Sequence, residues 1–219
     1  MSVFDAKPWE LTDVEMKQQG EFLSMYDLTY KDGAGHEKVY EVASRAGSKR
    51  SSIGKKPLSK ESLSNPINPD AVVILAISDS GKVLLCREFR FSVNQHIYNL
   101  PAGLRERGET YEETAARELR EETGVEVTEV LDVLHPTLSD PGVTDDSNVL
   151  VICRAKGKIK PSDSVYEPIE AKWCSRSELA NLLEQDNTMF SSRTQGIIFG
   201  ALYLGNMIRS TTRLLNSRA

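Results

Sequence analysis

The chain has 219 residues, 39% of them hydrophobic, which is enough for one large domain, or a domain with an added subregion, around a sizeable core. Its net charge of -5 gives no global attraction to nucleic acid or an anionic membrane, so an anionic partner has to be held locally, by a few placed cations or by metal ions. The opening MSVFDAKPWELTDVE has no basic stretch leading into an apolar one, and the longest apolar run, AVVILAI at 71–77, is too short to cross a bilayer; neither nucleic acid nor a membrane is expected as a partner, and the location expected is cytoplasmic. Cys86, Cys153 and Cys174 lie far apart in strand-like apolar runs and read as reduced, buried thiols.

In chain order, residues 20–44 alternate apolar and polar side chains on both sides of Asp32-Gly33, which predicts a hairpin in an N-terminal β subregion. The stretch 46–66, rich in Ser, Lys, Gly and Pro, predicts a solvated connecting loop, and the two regions together form a first part of the chain, 1–60, ahead of a larger domain at 61–219. Runs at 71–78 and 82–89 flank Asp79-Ser80-Gly81 as a second hairpin, and the unbroken apolar AVVILAI predicts a strand buried on both faces. HIYNLPAG at 96–103 reads as a short strand stopped by Pro101 and Gly103. Thr110 and Glu113 form a capping box for a helix over about 111–123, and Gly124 stands at its C-cap position. Strands are predicted at 125–135, 147–157 and 168–174, with helices at 175–186 and 192–209. The fold class is mixed α/β.

On the helix over 111–123, Glu118, Glu121 and Glu122 fall within an arc of about 100°. Like charges at this spacing repel one another. Taken alone, RELREE is compatible with a solvated acidic face on which Arg117 and Arg120 pair with the glutamates. It also offers a hard-oxygen cluster suited to Mg²⁺ or Mn²⁺, although by itself the stretch favours the solvated face. The flanking residues extend the pattern: Gly103, Glu109, Arg117, Glu118, Leu119, Glu121, Glu122, Gly124 and Val125 fill every fixed position of G-x5-E-x7-R-E-U-x-E-E-x-G-U, where U is a bulky aliphatic. This is the Nudix box, and the chain resembles the Nudix hydrolases, which cleave a nucleoside diphosphate linked to another group. The resemblance implies an α/β/α sandwich with a mixed sheet. It implies Glu118 and Glu122 as principal metal ligands, Glu121 as a further ligand or base, and the carbonyl of Ala102 completing the metal shell. Gly103 and Gly124 would have backbone roles, Arg117 would orient the glutamates, and Glu109 would brace the loop or bind metal.

The approach REFRFSVNQHIYNLPAGL and Pro141, 16 residues beyond Val125, resemble the ADP-ribose pyrophosphatase subgroup. That resemblance implies Arg90 as a substrate arginine, and SDPGVTDDSNVLV as the catalytic loop, with Asp146 at the place of a glutamate and Asp145 or Glu121 as the alternative base. It also implies Phe22 and Tyr40 as stacking partners for the base, although both are equally readable as core residues of strands, and Arg45 as a diphosphate contact. In that subgroup the N-terminal β element is exchanged within a homodimer. The implied activity is Mg²⁺-dependent hydrolysis of ADP-ribose or a related nucleoside diphosphate sugar. The alternatives are a UDP-sugar or GDP-sugar substrate, and a Nudix module that binds a nucleotide without turning it over.

Overall fold

The computed structural model describes residues 9–50, 54–65, 67–162 and 168–204. In order they form β1 (Glu10–Gln19), β2 (Ser24–Lys31), β3 (Glu37–Ser44), α1 (Lys60–Ser64), β4 (Ala71–Ile77), β5 (Val83–Arg90), β6 (Gln95–Asn99), β7 (Ala102–Leu104), α2 (Tyr111–Thr123), β8 (Glu126–Val133), β9 (Thr137–Leu138), β10 (Ser147–Lys156), β11 (Ile169–Cys174), α3 (Arg176–Glu184) and α4 (Ser192–Phe199). The architecture is mixed α/β. The chain packs as two compact units, each discontinuous in sequence. One is drawn from the chain up to Ala71 with Leu104–Gly108 and His135–Val149, the other from Val72–Gly103, Glu109–Leu134 and Leu150 onward. Among the described residues no helix is long and apolar enough to cross a membrane.

The first unit is built on an antiparallel meander, β1-β2-β3. The predicted hairpin is β2 and β3, paired from Ser24↔Ser44 to Lys31↔Glu37, and its loop is closed by the Asp32 carboxylate, which accepts from the backbone N–H groups of Ala34 and His36 at 2.8 and 2.9 Å. Tyr26, Leu28 and Val42 are buried together on one face, with Leu11, Val14 and Met16 of β1 packed against them. The Tyr26 hydroxyl, buried among apolar groups, donates to Ala46 O at 2.8 Å, so its polar end is satisfied. Beside it Gly47 adopts φ +68, and a Cβ there would lie 2.6 Å from the Tyr26 hydroxyl and 2.7 Å from Met16 Cε. Gly47→Ala is therefore expected to destabilise the chain by about 2 kcal/mol, read as a fall in Tm by calorimetry.

In the second unit the sheet order is β11-β5-β4-β10-β8, with β6 on β5 and β7 on β4. Val72, Val73, Ile74 and Ala76 of β4 are all at most 1% exposed, so this strand is buried on both faces as its unbroken apolar run predicts. One side of the sheet is covered by α3, α4 and the turn that follows α4, where Leu179, Ile198 and Leu202 pack with Val73, Leu85, Leu100 and Cys174. The last predicted helix is shorter than expected. It ends at Phe199 and passes into a π-helical turn over Gly200–Leu204; Gly196 and Gly200 lower its propensity, and the Gly200 N–H is shared between the carbonyls of Gly196 and Ile197. The rest of that predicted helix lies outside the described residues. All three cysteines are free and buried.

Glu178 completes the capping box of α3 with Ser175 and pairs with Lys172 at 2.7 Å. The Lys172 ammonium, then the Ser175 donors, hold its carboxyl at about 2. A folded pKa below the unfolded one adds stability that is present above the ordinary carboxylate range and lost as pH falls through about 2. Glu178→Gln is accordingly expected to shrink the drop in Tm between pH 5 and pH 2.

Candidate active site

The centre of the second unit is α2. Its N-terminus is a complete capping box: Thr110 Oγ1 accepts from Glu113 N at 3.2 Å, and the Glu113 carboxylate accepts from Thr110 N at 2.8 Å. Its C-terminus is Gly124 in the left-handed region at φ 71, donating its N–H to Arg120 O. These caps fix the rotation of the helix, with Leu119 and Ala115 fully buried and Glu121 exposed. Arg117 takes Glu109 in a fork, Nε to Oε1 at 2.7 Å and Nη2 to Oε2 at 2.9 Å, while its Nη1 reaches Glu118 at 2.8 Å and Glu121 at 3.3 Å. Thr114 Oγ1 also donates to Glu109 at 2.9 Å. The repulsion along the glutamate stripe is thus offset first by one guanidinium. Burial pushes the Glu118 carboxyl above the ordinary range against the opposing pull of Arg117, and the Arg117 guanidinium is held still more firmly protonated by Glu109 and Glu118.

Among the described residues no three His, Cys, Asp or Glu side chains converge in a set that could hold an ion, with Glu118 and Glu121 both turned to Arg117. The glutamates share a helix face without forming a closed cradle. The donor set still fits a hard divalent cation: Glu118, Glu121 and Glu122 offer only oxygens. The fit has a steric signature as well. A Cβ on Gly103 would lie 1.9 Å from Glu118 Cδ and 2.2 and 2.3 Å from its two oxygens. Gly103 at β7 is the floor on which the Glu118 carboxylate rests, next to Ala102.

The first unit gathers a second set of predicted residues. Strand β3 holds the loop around Pro141: Ala43 N donates to Val143 O at 2.9 Å, the Tyr40 hydroxyl donates to Gly142 O at 2.9 Å, and Arg45 Nε stands 3.4 Å from Asp146 Oδ1. Asp145 and Asp146 each keep one buried carboxylate oxygen without a hydrogen-bond partner. Asp70, 3% exposed, lies in the same unit; its carboxylate pairs with Lys55, and its backbone N–H and carbonyl bond Ser147 O and Arg105 N. Burial raises the Asp70 carboxyl, the Lys55 ammonium opposes that, and the charges of Asp146 and Asp145 add to the rise. Lys55 thus has a buried partner inside the stretch read as a solvated loop. Phe22 is not in a strand; it lies in the β1–β2 connection, 61% exposed, with the Arg50 guanidinium 5.8 Å from its ring centre. The core alternative for Phe22 is therefore corrected, while Tyr40 is partly buried in β3.

Arg90 closes β5, half exposed, with Glu88 3.7 Å away. Arg87, two positions before Glu88's neighbour Phe89, pairs instead with Glu170 at 3.3 Å. A buried polar group absent from the sequence expectation is Asn99, 6% exposed, whose amide donates to Glu88 at 2.8 Å.

A NUDIX domain matches residues 67–192, more than half of the chain, and the chain belongs to that family. An uncharacterised Nudix hydrolase of Schizosaccharomyces pombe is 31% identical over 164 residues, 73% of this chain and 71% of that protein. An ADP-ribose pyrophosphatase of Bacillus subtilis is 39% identical over 79 residues, 36% of this chain and 42% of that protein, so the aligned part spans less than half of that relative. The crystal structure of an ADP compounds hydrolase superposes with a TM-score of 0.66 at 20% identity, over 90% of this chain and 93% of that one, which establishes the likeness of fold.

Proposed function

We propose that this chain is a Mg²⁺-dependent pyrophosphohydrolase that cleaves the diphosphate bond of ADP-ribose or a related nucleoside diphosphate sugar, giving a nucleoside monophosphate and a sugar phosphate. The observation that carries the reading is the box itself: Glu118 seated on Gly103 and steered by the Arg117–Glu109 fork, with Glu121 and Glu122 on the same helix face. The likeness to an ADP-ribose pyrophosphatase favours the substrate class. Glu118 and Glu122, with the Ala102 carbonyl, would hold Mg²⁺ or Mn²⁺, which when bound polarises phosphoryl oxygens and lowers the pKa of water. Arg90 and Arg45 would bind the diphosphate, and Phe22 and Tyr40 would stack on the base.

Asp146 is our first choice as general base, with Asp145 and Glu121 behind it. Its Oδ1 accepts no hydrogen bond within the described residues and has the Arg45 guanidinium 3.4 Å away, a cation that favours the carboxylate form a base needs. Asp146→Asn is expected to slow turnover by about a hundredfold with Mg²⁺ affinity retained. An unaltered rate in that variant, with a loss in Asp145→Asn or Glu121→Gln, moves the base to the residue so identified. We also propose a homodimer, with the N-terminal β element as the exchanged part. Support comes from the apolar residues exposed on that element, Leu23, Met25 and Val39 at 46%, 40% and 52%. A monomer mass by light scattering would count against it.

Phosphate release with Mg²⁺ and a panel of ADP-ribose, UDP-sugar, GDP-sugar and diadenosine substrates tests the activity. Turnover of ADP-ribose is the expected result. Tight ADP-ribose binding without turnover of any of the panel would establish a nucleotide sensor instead.

A further inference from the structure

Asn99 ends β6 opposite Cys86 of β5, on the strand face shared by Cys86, Glu88 and Arg90. That face is the one on which the box charge is felt: burial first, then the charges of Glu122 and Glu88, push the Cys86 thiol up. The orientation of the Asn99 amide is fixed by its partners. Thr194 Oγ1, which accepts from Leu100 N at 3.0 Å, donates to Asn99 Oδ1 at 2.7 Å, and Ser191 Oγ, 2.8 Å from the same oxygen, is a second hydroxyl donor to it. The Asn99 NH₂ group therefore faces Glu88 Oε1, leaving Glu88 Oε2 toward Arg90.

A helix cap alone would not need this arrangement. The cap of α4 is Ser191 accepting from Thr194 N, and it is complete without Asn99. What Asn99 adds is a fixed direction for a carboxylate whose other oxygen abuts the half-exposed arginine. An unanchored arginine loses side-chain entropy when a ligand orders it, and an arginine already held by a fixed carboxylate loses less.

We propose that Asn99, locked by Ser191 and Thr194 at the start of α4, is a positioning residue that acts through Glu88 to hold Arg90 ready for an anionic diphosphate. This rests on the reading of Arg90 as a substrate arginine.

The test is a double-mutant cycle on the full chain, with Mg²⁺ and ADP-ribose. Asn99→Leu is expected to raise KM about tenfold while kcat moves by less than about twofold. In an Arg90→Ala background the same substitution is expected to move KM by less than about twofold. A merely structural Asn99 would give an undiminished effect without Arg90, and that result, a lowered KM, or a wild-type KM in Asn99→Leu overturns the inference. Glu88→Gln, at a partly exposed position, carries the same cycle if Asn99→Leu does not fold. If the wild type turns nothing over, the cycle is read in Kd for ADP-ribose by calorimetry; loss of turnover alone then strikes the activity and leaves the positioning to stand on Kd. An Arg90→Ala variant with wild-type affinity overturns both the inference and the role of Arg90.

Discussion

Glu122→Gln is expected to lower turnover by at least about a hundredfold and to weaken Mg²⁺ or Mn²⁺ binding in the same variant. The substitution keeps the size of the side chain and removes only the negative charge. Glu122 is half-buried on the last turn of α2, and its charge is already felt by the buried Cys86 thiol. Arg117 pairs with Glu118 and Glu121 on the same stripe, and on the reading proposed above Glu122 would share a divalent cation with Glu118. Steady-state rates together with a Mn²⁺ titration followed by electron paramagnetic resonance would check both halves. Glu112→Gln, exposed in the first turn of the same helix, is the control and is expected to retain wild-type rates. Near-normal activity in Glu122→Gln would remove the box face as the metal site.

The parts of this molecule that were legible in sequence are those whose signals are local. Both ends of α2 follow from Thr110, Glu113 and Gly124, because capping is settled within four residues. The two hairpins follow from Asp32 and from Asp79-Ser80-Gly81 for the same reason. Strand β1 was not legible, although its Leu11, Val14 and Met16 pack on the meander core. Irregularities between Leu11 and Asp13 and between Met16 and Gln18 shift the phase, so the period of two that marks a strand is broken in the string of letters. The role of Asn99 was hidden by distance. Its partners Glu88, Ser191 and Thr194 lie 11, 92 and 95 residues away, and in IYNLPAG an asparagine reads simply as the end of a strand. Lys55 illustrates the same limit, since only the folded chain brings it to the buried Asp70. Composition marks a loop, whereas the counter-ion for a buried carboxylate is a tertiary fact.

Gly103→Ala is expected to reduce kcat/KM by about a hundredfold while leaving the fold in place, since displacing a reacting group by even about 1 Å has that effect. The backbone at Gly103 is not in the left-handed region, so alanine meets no conformational penalty there. The obstacle is space alone: the added methyl would occupy the place of the Glu118 carboxylate, 1.9 Å from its carbon. Glu118 must swing away, and with it goes the ion pair to Arg117 Nη1. Gly124→Ala makes the opposite case. There φ is +71 and the nearest atoms are the aliphatic Cβ and Cγ of Lys160 at 3.0 Å, so the expected cost is about 1 kcal/mol or more of stability through the helix cap. Measuring kcat/KM and Tm for both variants separates the two kinds of glycine in one box. Gly103→Ala should lose activity at a nearly constant Tm, and Gly124→Ala should lose Tm first. Full activity in Gly103→Ala would show that the Glu118 carboxylate is not needed where it rests, which would undo the metal-ligand reading of that residue.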